Sequence, residues 1–219
     1  MIRKRIVTLL FSLLISMPAF ALLNLELTQG FSGAVPIAVV PFAIQGQTPP
    51  QDVSAIVHHD LQNSGRFKVT PEQTLTRFPS DVSEAVFTDF HKLGVDTLLV
   101  GKVQQIDNDR YQIHIQLIDA TKKQDTAQAV LLEKQFTASE QDLRGLAHHI
   151  SDLVYQQITG MRGIFSTQLA YVVVQRSANA PTRYILEVAD QDGYNPRPFL
   201  IQQGFIMRPS GDQAGSVLR

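Results

Sequence analysis

Cysteine and tryptophan are both absent from the 219 residues. The first absence excludes disulfides and any lipid-bearing cysteine at an export cleavage site. An excess of charge is lacking as well: 19 Lys and Arg stand against 20 Asp and Glu, for a formal net charge of -1. No basic patch disturbs that balance, which argues against nucleic acid as a partner. The nucleophile elbow G-x-S-x-G, the zinc motif H-E-x-x-H, the phosphate-binding P-loop and the Rossmann glycine pattern are all missing. Acidic side chains are scattered, and no spacing brings a pair of them to one cleft. No residue carries an enzymatic reading, and no cofactor is implied. Hydrophobic content is 44%, that of an ordinary folded protein.

One long apolar run exists, at the N-terminus. Arg3, Lys4 and Arg5 form a basic stretch, residues 6–15 are almost unbroken apolar, Met17-Pro18 ends the run, and Ala19-Phe20-Ala21 is a small-x-small site. This is the organisation of a secretory signal over residues 1–21, with Ala19 and Ala21 as its cleavage residues. A permanent anchor needs about 20 apolar residues, and Pro18 intervenes too early. Export and cleavage are expected, with no stable membrane insertion afterwards. Removing residues 1–21 takes away three positive charges and no negative one, moving the net charge from -1 to -4. About 198 residues remain, enough for one large domain or a small one with part of another.

Directly behind the signal lies Leu22-Leu23-Asn24-Leu25-Glu26-Leu27-Thr28. Leu23, Leu25 and Leu27 alternate with Asn24, Glu26 and Thr28, the period of a strand. Such a segment suits addition to the edge of a partner's sheet. The alternative is an edge strand of its own domain.

From residue 35 the chain reads as α/β. Val35-Pro36-Ile37-Ala38-Val39-Val40-Pro41-Phe42 is a continuous apolar run with β-branched residues, the mark of a buried strand. Residues 43–50 read as a loop, and residues 51–63 as a helix with Val53, Ile56, Val57 and Leu61 on one stripe. Asn63-Ser64-Gly65 stops it, and residues 67–69 form a short strand. Thr70-Pro71-Glu72-Gln73 reads as a cap and a helical turn. A second helix is expected from Ser80 or Asp81, with Asp81 and Glu84 at capping-box spacing and Val82, Val86, Phe90 and Leu93 as its buried face. Residues 97–103 are another buried strand. Tyr111, Ile113, Ile115 and Leu117 alternate with polar residues in a half-exposed strand, whose mate is expected over residues 128–137. Ser139 and Asp142 cap a long helix over residues 140–159, with Leu143, Leu146, Ile150, Leu153, Val154 and Ile158 as its stripe.

That order predicts a mixed sheet packed with helices over residues 35–160. Residues 167–175 and 183–189 then read as two strands, separated by a polar loop over 176–182. Asp190-Gln191-Asp192-Gly193 reads as a turn, and proline-rich sequence follows to Pro198. A lone hairpin is marginal in water, so these strands should open a further β domain.

Two patterns raise metal binding, and in both a plainer reading is favoured. His58-His59 and His148-His149 are adjacent pairs on predicted helices, so their side chains splay about 100° apart. With His91 and His114 they read as solvated surface histidines rather than zinc ligands. Asp190-x-Asp192-Gly193 has the opening of a calcium loop but lacks its third acid and terminal glutamate. A hairpin turn is expected there, and no metal.

Several strings occur in a fixed order. They are the strand of residues 35–42, Asp60-Leu61-Gln62-Asn63-Ser64-Gly65-Arg66-Phe67, Leu93-Gly94-Val95-Asp96-Thr97-Leu98-Leu99-Val100-Gly101-Lys102-Val103, Gln116-Leu117-Ile118-Asp119, Thr159-Gly160-Met161-Arg162-Gly163-Ile164-Phe165 and Asp190-Gln191-Asp192-Gly193-Tyr194-Asn195. In these the chain resembles the TolB family, the periplasmic component of the Tol–Pal system of Gram-negative bacteria, over about residues 23–207. The resemblance implies an N-terminal α/β domain followed by a β-propeller, placed in the periplasm. It implies that the segment Leu22, Leu23, Asn24, Leu25, Glu26, Leu27, Thr28, Gln29, Gly30, Phe31 and Ser32, extending to about residue 34, engages the inner-membrane protein TolA. It implies that the propeller, where present, engages the outer-membrane lipoprotein Pal. The role implied is envelope integrity and inward constriction of the outer membrane at cell division, without catalysis. A scaffold domain or soluble hydrolase of the periplasm, unrelated to Tol–Pal, stays open as the alternative.

The chain departs from the family at Leu22-Leu23, at Phe31-Ser32-Gly33-Ala34 and after Met207. Residues 161–207 are expected to be the first strands of a propeller, and residues 208–219 an out-of-frame tail. Read one base out of register, Ser210/Gly211 can encode Trp, Asp212/Gln213 Pro and Ala214/Gly215 Gly, the pattern of the family's Trp-Ser-Pro-Asp-Gly. A natural truncation or an error in the sequence would both produce this, and the missing tryptophan fits. An incomplete propeller should leave Leu169, Tyr171, Val173, Tyr184, Ile185 and Leu186 exposed.

Overall fold

The computed structural model of the chain describes residues 33–122, 126–178 and 180–203. The expected signal over residues 1–21 and the expected partner segment Leu22 to Ser32 lie outside the described residues, as do residues 204–207 and the expected out-of-frame tail over residues 208–219.

The expected mixed sheet is present, with six strands. β1 (Val35–Val39), β2 (Ala43–Gln45), β3 (Phe67–Val69), β4 (Thr97–Asp107), β5 (Arg110–Asp119) and β6 (Val130–Ser139) make one sheet, ordered β3-β1-β4-β5-β6 with β2 paired to β4. β3, β1, β2 and β4 run parallel, and β4, β5 and β6 are antiparallel. Among the described residues the four α-helices are α1 (Val53–Asn63), α2 (Phe87–Lys92), α3 (Thr126–Ala129) and α4 (Leu143–Thr159).

Alternation along the strands divides the interior into two layers. Ile37, Val39, Leu99, Val103, Ile113, Ile115 and Leu117 face α1 and α4, where they meet Val57, Leu61, Ala147, Ile150 and Val154. Ala38, Val40, Leu98, Val100 and Ile118 point the other way, onto Leu75, Ala85, Phe87 and Phe90. Both faces of β1 and of the first half of β4 are therefore dry, which accounts for their apolar sequences. α1 starts at Asp52, whose carboxylate accepts from Ala55 N at 3.0 Å. α4 ends on Gly160, left-handed at φ 72°, as a helix C-terminus favours.

The strand expected over residues 128–137 lies over Val130–Ser139, with the short α3 before it, and three further elements differ from the sequence reading. The loop expected over residues 43–50 begins with β2, because the chain bulges at Pro41 and rejoins β4. Pairing moves from Val39↔Leu99 to Ala43↔Lys102, one extra residue on the β1–β2 side. The helix expected from Ser80 is a 3₁₀ turn (Val82–Glu84), then extended backbone at Ala85, then the short α2. Its buried face is Ala85, Phe87 and Phe90, and Leu93 is 39% exposed. Capping chemistry explains the break: Asp81 accepts from Ser83 N, while Glu84 reaches back to Ser80 N and Oγ, closing one tight turn rather than opening a helix.

The third difference lies in the second sheet, ordered β7-β8-β9 and antiparallel throughout. β7 (Gln168–Ser177) and β8 (Ala180–Asp190) are longer than expected, and β9 (Arg197–Gln203) begins inside the sequence read as proline-rich to Pro198. Pro198 is accommodated because, among the described residues, β9 pairs with β8 alone, and a register shift falls between Leu186 and Glu187 opposite it. This sheet has the form of a propeller's opening strands. Leu169 and Tyr171 are exposed as expected, joined by Phe199 and Ile201 at 60% each, whereas Val173, Tyr184, Ile185 and Leu186 are half-buried.

Candidate functional site

The polar residues that fold deepest into the molecule meet where α1, α4 and the β8–β9 turn converge. Asp60 lies on the buried stripe of α1 with Val53, Val57 and Leu61. His148 and Ser151 lie on the buried stripe of α4, among Ala147, Ile150 and Val154. The Asp60 and His148 side chains retain 0% and 4% of their exposure. His148 Nδ1 is 2.8 Å from Asp60 Oδ2, and Ser151 Oγ donates to the same oxygen at 2.7 Å. Two α4 side chains thus clamp one carboxylate of α1.

One turn before His148, Arg144 reaches the second sheet. Its guanidinium pairs with Asp192 through Nη2, stands 3.4 Å from Asp190 Oδ2 through Nε, and lies 3.9 Å above the Tyr194 ring. The turn is pre-shaped for this. Gly193 N donates to Asp190 O at 2.8 Å, Tyr194 N to Asp192 Oδ1 at 3.0 Å, and Gly193 takes φ 80°. His148 Nε2 lies 4.0 Å from Asp192 Oδ2, so imidazole and guanidinium share one carboxylate.

The electrostatics follow from that arrangement. Burial pushes the His148 imidazole down, but the hydrogen bond and charge of Asp60, with the charge of Asp192, outweigh it and raise its pKa above the ordinary value. Burial pushes Asp192 up, yet the Tyr194 N–H and the Arg144 guanidinium prevail and hold its carboxyl below the usual range. A cleft of 810 Å³ opens beside the network, lined by Glu140, Arg144, His148, Thr167, Asp190 and Arg197 among others.

Asp152, one position after Ser151, holds the connection between the sheets. It accepts from Phe165 N at 2.8 Å and from Ser166 N and Oγ at 3.2 and 2.5 Å. A Cβ on Gly163 would stand 2.6 Å from the Asp152 Cα, so this approach requires glycine. Phe165 stacks edge-on against Tyr155 of α4, which meets Phe67 of β3 in the same way.

The site corrects one sequence reading. His148 is a buried, partnered histidine and not a solvated one, whereas His59, His91 and His149 are exposed as expected. The Asp190–Gly193 turn is present as read, but its acids also bind Arg144. A signal for the network did exist: Asp60 is an acid on an apolar stripe, and a buried carboxylate demands a partner. Its partner lies 88 residues away, beyond what local pattern reveals. The expected partner residues Leu22, Leu23, Asn24, Leu25, Glu26, Leu27, Thr28, Gln29, Gly30, Phe31 and Ser32, and Ala19 and Ala21, lie outside the described residues. Among the described residues, no helix is long and apolar enough to cross a membrane.

Known proteins resemble this chain throughout. The family model described as the TolB amino-terminal domain matches residues 23–126. The Tol-Pal system protein TolB of Nitrosococcus oceani is 40% identical over 206 residues, 94% of this chain and 46% of that protein. That of Coxiella burnetii is 40% identical over 220 residues, 99% of this chain and 49% of that one. The chain thus spans about half the length of the curated relatives it matches. The crystal structure of TolB from Acinetobacter baumannii superposes with a TM-score of 0.64 at 30% identity, covering 78% of this chain and 39% of that one.

Proposed function

We propose, from the match of residues 23–126 to the TolB amino-terminal domain model, that the chain is a periplasmic protein-interaction component of the Tol–Pal system, without catalytic activity. The observation that carries the reading is 40% identity to proteins of that system over 94% to 99% of the chain.

The segment Leu22 to Ser32 is the contact for TolA. Alternation of Leu23, Leu25 and Leu27 with polar residues gives an extended peptide one apolar face. Strand addition supplies affinity through backbone hydrogen bonds and specificity through alternate side chains. Pal is engaged by the propeller that β7, β8 and β9 open. Linking the two would couple the inner membrane to the outer one, sustaining envelope integrity and outer-membrane constriction at division. The Asp60–His148 clamp and the Arg144–Asp192 pair support such a linker physically, since the first joins α1 to α4 and the second joins α4 to the second sheet.

Capture by purified TolA periplasmic domain tests this. The chain beginning at Leu22 should bind, and deletion of residues 22–32 should abolish binding while leaving the far-ultraviolet circular dichroism of the folded part unchanged. Equal capture of both forms would overturn the assignment.

A further inference from the structure

We propose that His148, Asp190 and Asp192 form a binding site for a divalent transition-metal ion, with zinc the best fit. One donor atom from each lies within 4.8 Å of the other two. The donor set, one imidazole and two carboxylates, is of a kind zinc accepts, with water completing a tetrahedron.

The imidazole is the decisive member. His148 is 3% exposed, and among the described residues its Nε2 has no hydrogen-bond partner. Such a bare buried nitrogen is costly unless something occupies it. Its other nitrogen faces Asp60 at 2.8 Å. A carboxylate on Nδ1 fixes the tautomer that leaves the Nε2 lone pair free, the arrangement that metal-binding histidines adopt. Ser151 in turn fixes the Asp60 oxygen at 2.7 Å. Nε2 points toward Asp192 Oδ2, 4.0 Å away.

Charge agrees with this. Asp60, Asp190 and Asp192 against Arg144 leave two negative charges around the imidazole, which a divalent ion neutralises as it takes the place of any proton on Nε2. Zinc–ligand bonds of about 2.0–2.2 Å put two ligands roughly 3.4 Å apart, so the three donors need only close from their present spacing. Arg144 would yield Asp192 Oδ2 to the metal and keep its place over Tyr194. The 810 Å³ cleft, lined by His148 and Asp190, supplies the route in. Bound there, the ion would tie α4 to the β8–β9 turn. The site does not depend on the Tol–Pal role.

Isothermal titration of the full chain with zinc chloride in chelator-treated buffer tests the site. One saturable site is expected, reversed by EDTA. D192N, on an exposed turn, should weaken it at least tenfold. D60N, which leaves every proposed ligand in place, should weaken it by about 10- to 100-fold, and R144Q, which removes the competing cation, should tighten it. Cobalt(II) in place of zinc should give visible absorption bands that D192N loses. Absence of saturable uptake, or uptake unchanged in a folded D192N protein, overturns the proposal.

Discussion

Asp60 and His148 are 88 residues apart in sequence and 2.8 Å apart in space, and neither side chain keeps more than 4% of its exposure. Removing one member of a buried charged pair leaves the other desolvated and unpaired, at a cost of about 3–5 kcal/mol. D60A is therefore expected to lose roughly that much stability in urea unfolding, and D60N less, because its amide oxygen can still accept from Ser151. A D60A midpoint within error of wild type would refute the pairing.

Gly163 meets Asp152 too closely for any side chain, with a Cβ placed 2.6 Å from the Asp152 Cα. G163A is expected to cost about 1–3 kcal/mol, as overpacking does. It should also free the Phe165 and Ser166 amides from the Asp152 carboxylate. Limited proteolysis reads this directly: cleavage should appear between α4 and β7 in the variant first.

Gly101 sits in β4, where an added Cβ would lie 2.7 Å from His114 O and 3.1 Å from the Phe42 ring. The first contact is backbone of the neighbouring strand and cannot swing aside. G101A is expected to destabilise by about 1–3 kcal/mol, with amide exchange accelerating at the β4–β5 pairing. Unchanged exchange there would show that the sheet yields more easily than its register implies.

Glu84 is held below its ordinary carboxyl range chiefly by the Ser80 N–H, and then by the Ser80 hydroxyl, despite some burial. A carboxyl with a lowered folded pKa contributes stability above its unfolded value, and loses it as pH falls through the folded one. E84Q should therefore be less stable than wild type at pH 7. The two unfolding curves should converge as pH drops below the ordinary glutamate value of 4.5. A gap that stays constant with pH would show that charge has no part in the Ser80–Glu84 turn.

Local pattern made much of the fold legible. Continuous apolar runs marked β1 and the first half of β4, because both faces of those strands are covered. Alternation marked β5, whose Tyr111, Ile113, Ile115 and Leu117 form one buried face, while Gln116 and Ile118 are buried on the other. Asp52, Gly65 and Gly160 bound α1 and α4 through caps and left-handed turns that need no distant partner. Elements that depend on a neighbour were not legible in the same way. β2 exists because β4 extends past the bulge at Pro41, and β9 because β8 offers it an edge.

The sequence by itself determined where the strands and the long helices lie, since periodicity and capping act within a few residues. It also set the chain's balance of charge and the absence of any cysteine chemistry. Only the tertiary structure decided the fate of its isolated polar residues. His148 and His149 are neighbours in the chain, yet one is buried on Asp60 and the other exposed, because packing α4 against α1 turns just one of them inward. Asp192 reads as an ordinary turn acid until the second sheet brings it to Arg144. The contacts that join this network are set by which faces pack together, and a face acquires its partner only when the chain has folded.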